Sequence, residues 1–92
     1  MEANLEVESL LTAIAELLKN TGEENWSAAF ARSAKQYPSF PDETRRQILG
    51  SYGGMGSFND LVLYDKDGLL VDANIRLDGM RSQLFRLLTE LQ

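Results

Sequence analysis

The sequence predicts a mainly α-helical fold: a small bundle of about four helices, with a glycine-rich loop and a short β-hairpin. Apolar residues recur at spacings of three and four over two long segments, as they do on one face of an amphipathic helix. Glycine and proline interrupt these patterns at intervals typical of short helices. With 92 residues, the chain is expected to form a single domain, residues 1–92, around one core.

The first helix is predicted from about Asn4 to Asn20, and Gly22 is expected to end it near the C′ position. Its apolar residues share one face: Leu5, Leu10, Leu11, Ile14, Leu17 and Leu18. The second helix is predicted from about Glu23 to Gln36, with Trp26, Phe30 and Tyr37 on its inner side. Pro38 ends it, because the residue before a proline is disfavoured in the α region.

A third, shorter helix is predicted to begin at Pro41, because proline fits the first turn, where its missing N–H is not needed. Ile48 and Leu49 would point inward. The last helix is predicted from about Asn74 to Leu91. Its apolar face is formed by Leu77, Met80, Leu84, Leu87, Leu88 and Leu91.

Residues 58–64 fit two structures. Ser57 followed three positions later by Asp60 is compatible with a capping box that opens a helix or with the entry to a strand. We favour the strand: residues 61–64 are apolar, residues 65–68 contain an Asp-Gly turn signal, and residues 69–71 are apolar again. This order is typical of a β-hairpin.

Four of the seven glycines lie between residues 50 and 56. Such a cluster resembles phosphate-binding loops, but the Lys-Ser or Lys-Thr that follows the last glycine of a P-loop is replaced by Ser57 and Phe58. Asp65 and Asp67 share an Asp-x-Asp core with calcium loops, but the other ligand positions do not match. The pattern predicts a tight turn that exposes backbone between a helix and the segment that follows.

The chain contains no cysteine and no histidine. Disulfides, thiolate nucleophiles, Cys/His zinc sites and histidine general bases are therefore excluded. We expect no enzymatic activity, no cofactor and no metal. The first eight residues carry three acids and no base, unlike a signal peptide, and no apolar run is long enough for a membrane span. These features favour a cytoplasmic protein without membrane contact.

The chain is acidic, with fourteen Asp and Glu against nine Lys and Arg and a net charge of -5. This balance disfavours nucleic-acid binding, which needs a basic surface. The acids are concentrated in residues 1–24 and 60–72. Such a distribution would attract a basic protein partner and steer its approach.

The segment GGMGSFNDLVL, residues 53–63, resembles part of a family of small uncharacterised bacterial proteins. The upstream leucine-rich helix, Glu24-Asn25-Trp26 and the C-terminal leucine-rich helix extend the resemblance over nearly the whole chain. This family has only a domain-of-unknown-function label, and its members resemble immunity proteins of interbacterial toxin systems. The resemblance implies no catalytic residue and no cofactor.

Charge, size and resemblance together favour an immunity protein that binds and neutralises a cognate toxin by protein-protein interaction. The toxin would be a basic effector, or one that acts on nucleotides or nucleic acid. The predicted interface comprises Tyr52, Met55, Phe58, Asp60, Tyr64, Asp65, Asp67 and Asp72. Two alternatives remain: a homodimeric structural or adaptor domain that associates through apolar loop residues, and a small-ligand or phosphate binder that uses the loop amides. The domain is therefore expected as a monomer or a homodimer.

Overall fold

The computed structural model describes residues 2–53 and 56–90. Its elements, in chain order, are α1 (Glu2–Asn20), α2 (Glu24–Gln36), α3 (Pro41–Gly50), a 3-10 turn (Phe58–Asp60), β1 (Tyr64–Asp65), β2 (Gly68–Leu69) and α4 (Val71–Glu90). The two strands form an antiparallel hairpin. The predicted small, mainly α-helical bundle with a hairpin is confirmed. Within these residues, none of the helices combines the length and apolarity needed to cross a membrane.

Gly22 ends α1 as predicted. Its φ of 87° lies in the left-handed region that glycine adopts without steric strain. The N–H of Glu23 donates to the carbonyl of Leu18 at 2.8 Å, and the N–H of Gly22 donates to the carbonyl of Lys19 at 3.3 Å. These two bonds form a Schellman motif, which satisfies carbonyls that the helix end would otherwise leave unpaired.

α2 packs against α1, which also contacts α4. The hydroxyl of Ser27 donates to the carbonyl of Ala15 at 2.7 Å inside this interface. The hydroxyl of Tyr37 donates to Oδ1 of Asn4 at 3.0 Å. A buried serine on the inner face of α2 therefore finds its hydrogen-bond partner on the neighbouring helix.

The core lies between α1, α2 and α4 and is closed by two residues from the loop. Its fully buried apolar side chains are Val7, Leu11, Ile14, Leu18, Phe58, Leu63, Leu77, Leu84 and Leu88. The prediction that Leu5 belongs to the inner face of α1 is wrong, because this residue is 65% exposed. Val7 takes the inward position instead, since it stands four residues before Leu11 on the same helical face.

Residues 58–63 do not form the favoured strand, nor the alternative regular α-helix. Phe58–Asp60 is a single 3-10 turn, and residues 61–63 have no regular structure. The strands are limited to Tyr64–Asp65 and Gly68–Leu69. The predicted second strand is therefore also wrong at residues 70 and 71, which lie outside it. The reason is that Phe58 and Leu63 are buried in the core, where side chains of α4 bind the backbone of this segment.

α4 begins at Val71, three residues before the predicted start. The N–H of Asn74 donates to the carbonyl of Leu70 at 2.9 Å, which is the i to i−4 bond of a helix. Asp72 in the first turn suits the positive end of the helix dipole. Leu91, the last residue of the predicted apolar face, lies outside the described residues.

Candidate protein-binding surface

The hairpin places two large apolar side chains side by side in solvent. Tyr64 lies directly opposite Leu69 in the antiparallel register, so both side chains extend from the same face of the hairpin. Tyr64 is 61% exposed and Leu69 is 53% exposed. An exposed cross-strand pair of this kind offers an apolar contact area to a partner.

Two carboxylates accompany this apolar pair. The N–H of Asp67 donates to Oδ1 of Asp65 at 2.8 Å, a local bond that fixes the turn between the strands. Both residues are exposed. Gly68 has a φ of 120°, which residues with a Cβ rarely adopt. We call Tyr64, Asp65, Asp67 and Leu69 the hairpin surface.

Asn74 of α4 holds the hairpin in place. Its Oδ1 accepts the N–H of Leu63 at 2.8 Å, and its Nδ2 donates to the carbonyls of Leu63 at 2.9 Å and Leu70 at 2.8 Å. The N–H of Leu70 also donates to the carbonyl of Leu63 at 3.0 Å. A single amide side chain thus satisfies the backbone on both sides of the hairpin, as a neighbouring strand would do.

The glycine-rich loop is closed by its own backbone and side chains. Gly56 has a φ of 75°, and its N–H donates to Oδ2 of Asp60 at 3.1 Å. The N–H of Phe58 donates to the carbonyl of Ser51 at 2.8 Å, and the hydroxyl of Ser57 donates to the carbonyl of Tyr52 at 3.2 Å. The amides of Gly56 and Phe58 are therefore already engaged and do not offer hydrogen bonds to a phosphate.

Arg81 connects the end of this loop to α4. Its Nη1 donates to the carbonyl of Phe58 at 2.8 Å and to that of Leu61 at 2.9 Å. Its Nη2 forms an ion pair with Asp78. The guanidinium carbon lies 5.9 Å from the centroid of the Phe58 ring, within the range of a cation–π contact. With only 11% of its side chain exposed, Arg81 supports the loop rather than presenting charge to a ligand.

A protein-family model described as a domain of unknown function, DUF6966, matches residues 19–72. The chain belongs to the DUF6966 family. The match begins at the end of α1 and extends through the glycine-rich loop and the hairpin to the start of α4. All eight predicted interface positions lie inside it. Neither the curated proteins nor the solved structures that were searched contain a match to this chain.

The structure brings only some of the predicted interface residues together. Tyr64, Asp65 and Asp67 lie together on the hairpin, and Asp72 lines the same shallow depression as Asp65 and Leu69. Asp60 is exposed but hydrogen-bonded within the loop, and Tyr52 is half-buried. Met55 lies outside the described residues.

Phe58 cannot act as the exposed anchor that we predicted. Its side chain is fully buried, and its ring centroid lies 4.5 Å from that of Phe30 and 5.3 Å from that of Tyr52. A glycine-rich loop predicts surface exposure for its apolar residues, but here this ring fills the core. Self-association through this side chain is excluded for the same reason.

Leu69, Asn74 and Arg81 were not predicted as functional or supporting residues. Leu69 could have been found from the hairpin register, because the residue opposite Tyr64 follows from the position of the turn. Asn74 and Arg81 carry no sequence signal of their partners, which are backbone groups of distant residues. Among the described residues, no group of three or more acidic side chains is arranged to hold a metal ion.

Burial raises the pKa of Tyr52 above its ordinary value of 10, and the nearby Arg81 opposes this only in part. The Tyr52 hydroxyl donates to the carbonyl of Arg81 at 2.7 Å. An unfolded tyrosine ionises near pH 10. Above that pH the unfolded chain therefore loses a proton that the folded chain keeps, and the free energy of unfolding falls as pH rises.

We expect Tyr52→Phe to make this alkaline fall shallower, because the variant has no phenol to ionise in either state. Urea unfolding at about pH 8 and about pH 11 measures the slope for both proteins. Some fall remains, since burial also raises the pKa of Tyr37. At neutral pH the substitution should cost only about 1 kcal/mol, for the lost hydrogen bond. If the free energy of unfolding of Tyr52→Phe fell as steeply with pH as that of the wild type, ionisation of Tyr52 would not be a cause of the fall.

Proposed function

We propose that this DUF6966 domain is an immunity protein, which binds a basic bacterial toxin through the hairpin surface and thereby neutralises it. The observation that carries the proposal is the exposed Tyr64–Leu69 pair beside the carboxylates of Asp65 and Asp67. Large apolar side chains surrounded by charge are the usual composition of a protein-binding surface.

The apolar pair and the carboxylates would serve different steps of binding. Acidic side chains on a protein with a net charge of -5 raise the rate at which a basic partner arrives in the correct orientation. Tyr64 and Leu69 would then lose solvent on contact, and truncation of a tyrosine that is a binding hot spot costs about 2 kcal/mol or more in affinity. Steering sets the association rate, and apolar burial slows dissociation.

Asn74 and Arg81 hold the hairpin in place before a partner arrives. Asn74 binds the backbone on both sides of the hairpin, and Arg81 binds the segment that precedes it. A surface held in its binding geometry loses less conformational entropy on association. The toxin-neutralising role itself rests on the resemblance of the chain to immunity proteins and on its acidic charge.

The proposal is tested first by capture from the producing cell and then by protection. The tagged wild-type domain and a Tyr64→Ser/Leu69→Ser variant are used to pull down proteins, which mass spectrometry identifies. We expect a basic protein to be captured by the wild type and lost with the variant. Expression of that protein alone in a test host should stop growth, and co-expression of the wild-type domain should restore it. Failure of co-expression to protect would remove the immunity function.

The electrostatic step is tested with Asp65→Asn/Asp67→Asn, which removes two charges while the amide oxygen introduced at position 65 can still accept the turn hydrogen bond. The matched control is Glu6→Gln/Glu16→Gln, which removes two charges from exposed positions of α1. At low salt we expect the hairpin variant to reduce the association rate about tenfold and the control to have a much smaller effect. High salt should diminish the difference, because it screens exposed charges. Equal effects would assign steering to net charge rather than to the hairpin.

A further inference from the structure

The outer face of α4 carries a second apolar surface that the fold leaves uncovered. Val71 is 57% exposed, Ile75 is 64% exposed and Phe85 is 44% exposed. The opposite face of the same helix is buried through Leu77, Leu84 and Leu88. α4 is therefore apolar on two sides, although one side is sufficient to attach a helix to a core.

Gly79 borders this outer face about halfway between Val71 and Phe85 along the helix, next to Asp78, which lies on the face itself at a spacing of seven residues from each. A glycine inside a helix destabilises it by about 1 kcal/mol relative to alanine. Nothing in the fold requires it, because a Cβ built at Gly79 meets no atom within 4 Å and its φ is not positive. At a crossing of two helices, however, a glycine allows the backbones to approach more closely than the usual 8–10 Å.

Charges are placed symmetrically about this glycine. Asp72 precedes Gly79 by seven residues and Arg86 follows it by seven. The two are therefore about 21 Å apart along the helix and cannot pair within one chain. The ion pair found in the described part of the chain joins Arg81 to Asp78, so it involves neither residue.

We infer that a second copy of this chain packs antiparallel against α4, with the two-fold axis near Gly79. In this arrangement Asp72 of each copy lies beside Arg86 of the other, and both salt bridges form at once. Val71 of each copy meets Phe85 of the other, and Ile75 packs beside Ser82, a small residue that leaves room for it. The contact is isologous, because the same residues of both copies supply its two Asp72–Arg86 pairs and its apolar surface. Asp78, which also lies on this face, is paired with Arg81 of its own chain.

This inference goes beyond the proposed toxin binding and does not depend on it. It assigns Asp72 to the α4 interface and leaves Asp65 and Asp67 to the hairpin surface. A dimer would present two hairpins, one at each end of the paired helices, so one homodimer would have two separate partner surfaces.

The first test uses the absence of cysteine from the chain. In a Gly79→Cys variant the two new thiols would lie close together at the two-fold axis, within the short Cα separation that a disulfide needs. We expect mild oxidation to convert this variant to a covalent dimer at low micromolar concentration. The matched control is Ala28→Cys, which places a thiol on an exposed position of α2. Crosslinking of Gly79→Cys no faster than that of the control would overturn the inference.

The second test exchanges the charges. Light scattering of the unmodified protein should give a mass that rises with concentration toward twice that of the chain. Asp72→Arg and Arg86→Asp should each weaken dimerisation about tenfold or more, and the double variant should restore it. Circular dichroism checks that each variant remains folded. Restoration cannot arise within one chain, because the two residues are too far apart. The proposed dimer would be contradicted if the unmodified protein stayed monomeric at every concentration up to about 1 mM. It would also be contradicted if the double variant dimerised no more tightly than the single variants.

Discussion

Replacement of Phe58 by alanine is expected to remove much of the stability of this domain. The Phe58 ring is fully buried, and its centroid lies 4.5 Å from that of Phe30, 5.5 Å from that of Trp26 and 5.3 Å from that of Tyr52. Truncation of a buried phenylalanine costs about 3–5 kcal/mol. A domain of 92 residues has about 5–14 kcal/mol in total. Urea unfolding monitored by tryptophan fluorescence measures the difference directly.

The matched control for this prediction is Phe40→Ala, because Phe40 is 58% exposed. Its truncation should change the free energy of unfolding by about 0.5 kcal/mol or less. The comparison separates the loss of a core side chain from the loss of any phenylalanine. If both variants lost the same small amount, the packing assigned to Phe58 would be wrong, and the glycine-rich loop would not contribute to the core.

Phe58 also shows which part of the fold could be predicted from the sequence. The four helices follow from apolar periodicity, and Gly22 and Pro41 mark their ends by local backbone preferences that act in any context. The segment around Phe58 has no such periodicity. Its conformation is decided by Arg81, which binds two of its carbonyls from 20 or more residues away. A strand propensity over a few residues cannot compete with burial of an aromatic ring and several such contacts.

The candidate surface was predictable only where local chemistry determines it. Asp65 and Asp67 belong to a turn that sequence identifies, and Tyr64 adjoins that turn. The exposure of Val71 was not predictable in the same way, because the sequence pattern predicts a strand over residues 69–71 and a start of α4 at Asn74. Because α4 begins at Val71, this residue belongs to the first turn of the helix, where its side chain is exposed. Ile75, in contrast, already lay outside the predicted apolar face of the last helix.

Loss of Asn74 is expected to release the hairpin from the helix bundle. In Asn74→Ala the N–H of Leu63 loses its acceptor, and the carbonyls of Leu63 and Leu70 each lose a donor. Because an unpaired buried backbone group costs about 1–3 kcal/mol, we expect a loss of about 2–3 kcal/mol in the free energy of unfolding. Hydrogen exchange should accelerate at the amides of Leu63 and Leu70 before it accelerates in α1.

The same substitution connects the fold to the proposed function. Asn74 is half-buried, so it does not belong to the exposed hairpin surface. Weaker capture of the proposed partner by Asn74→Ala would arise from displacement of Tyr64 and Leu69. Asn59→Ala is the control, because this exposed asparagine lies in the 3-10 turn and its removal should leave both exchange and capture unchanged. Unaltered exchange at Leu63 in Asn74→Ala would show that the hairpin holds its position without the helix. Normal exchange with weakened capture would instead place Asn74 in direct contact with the partner.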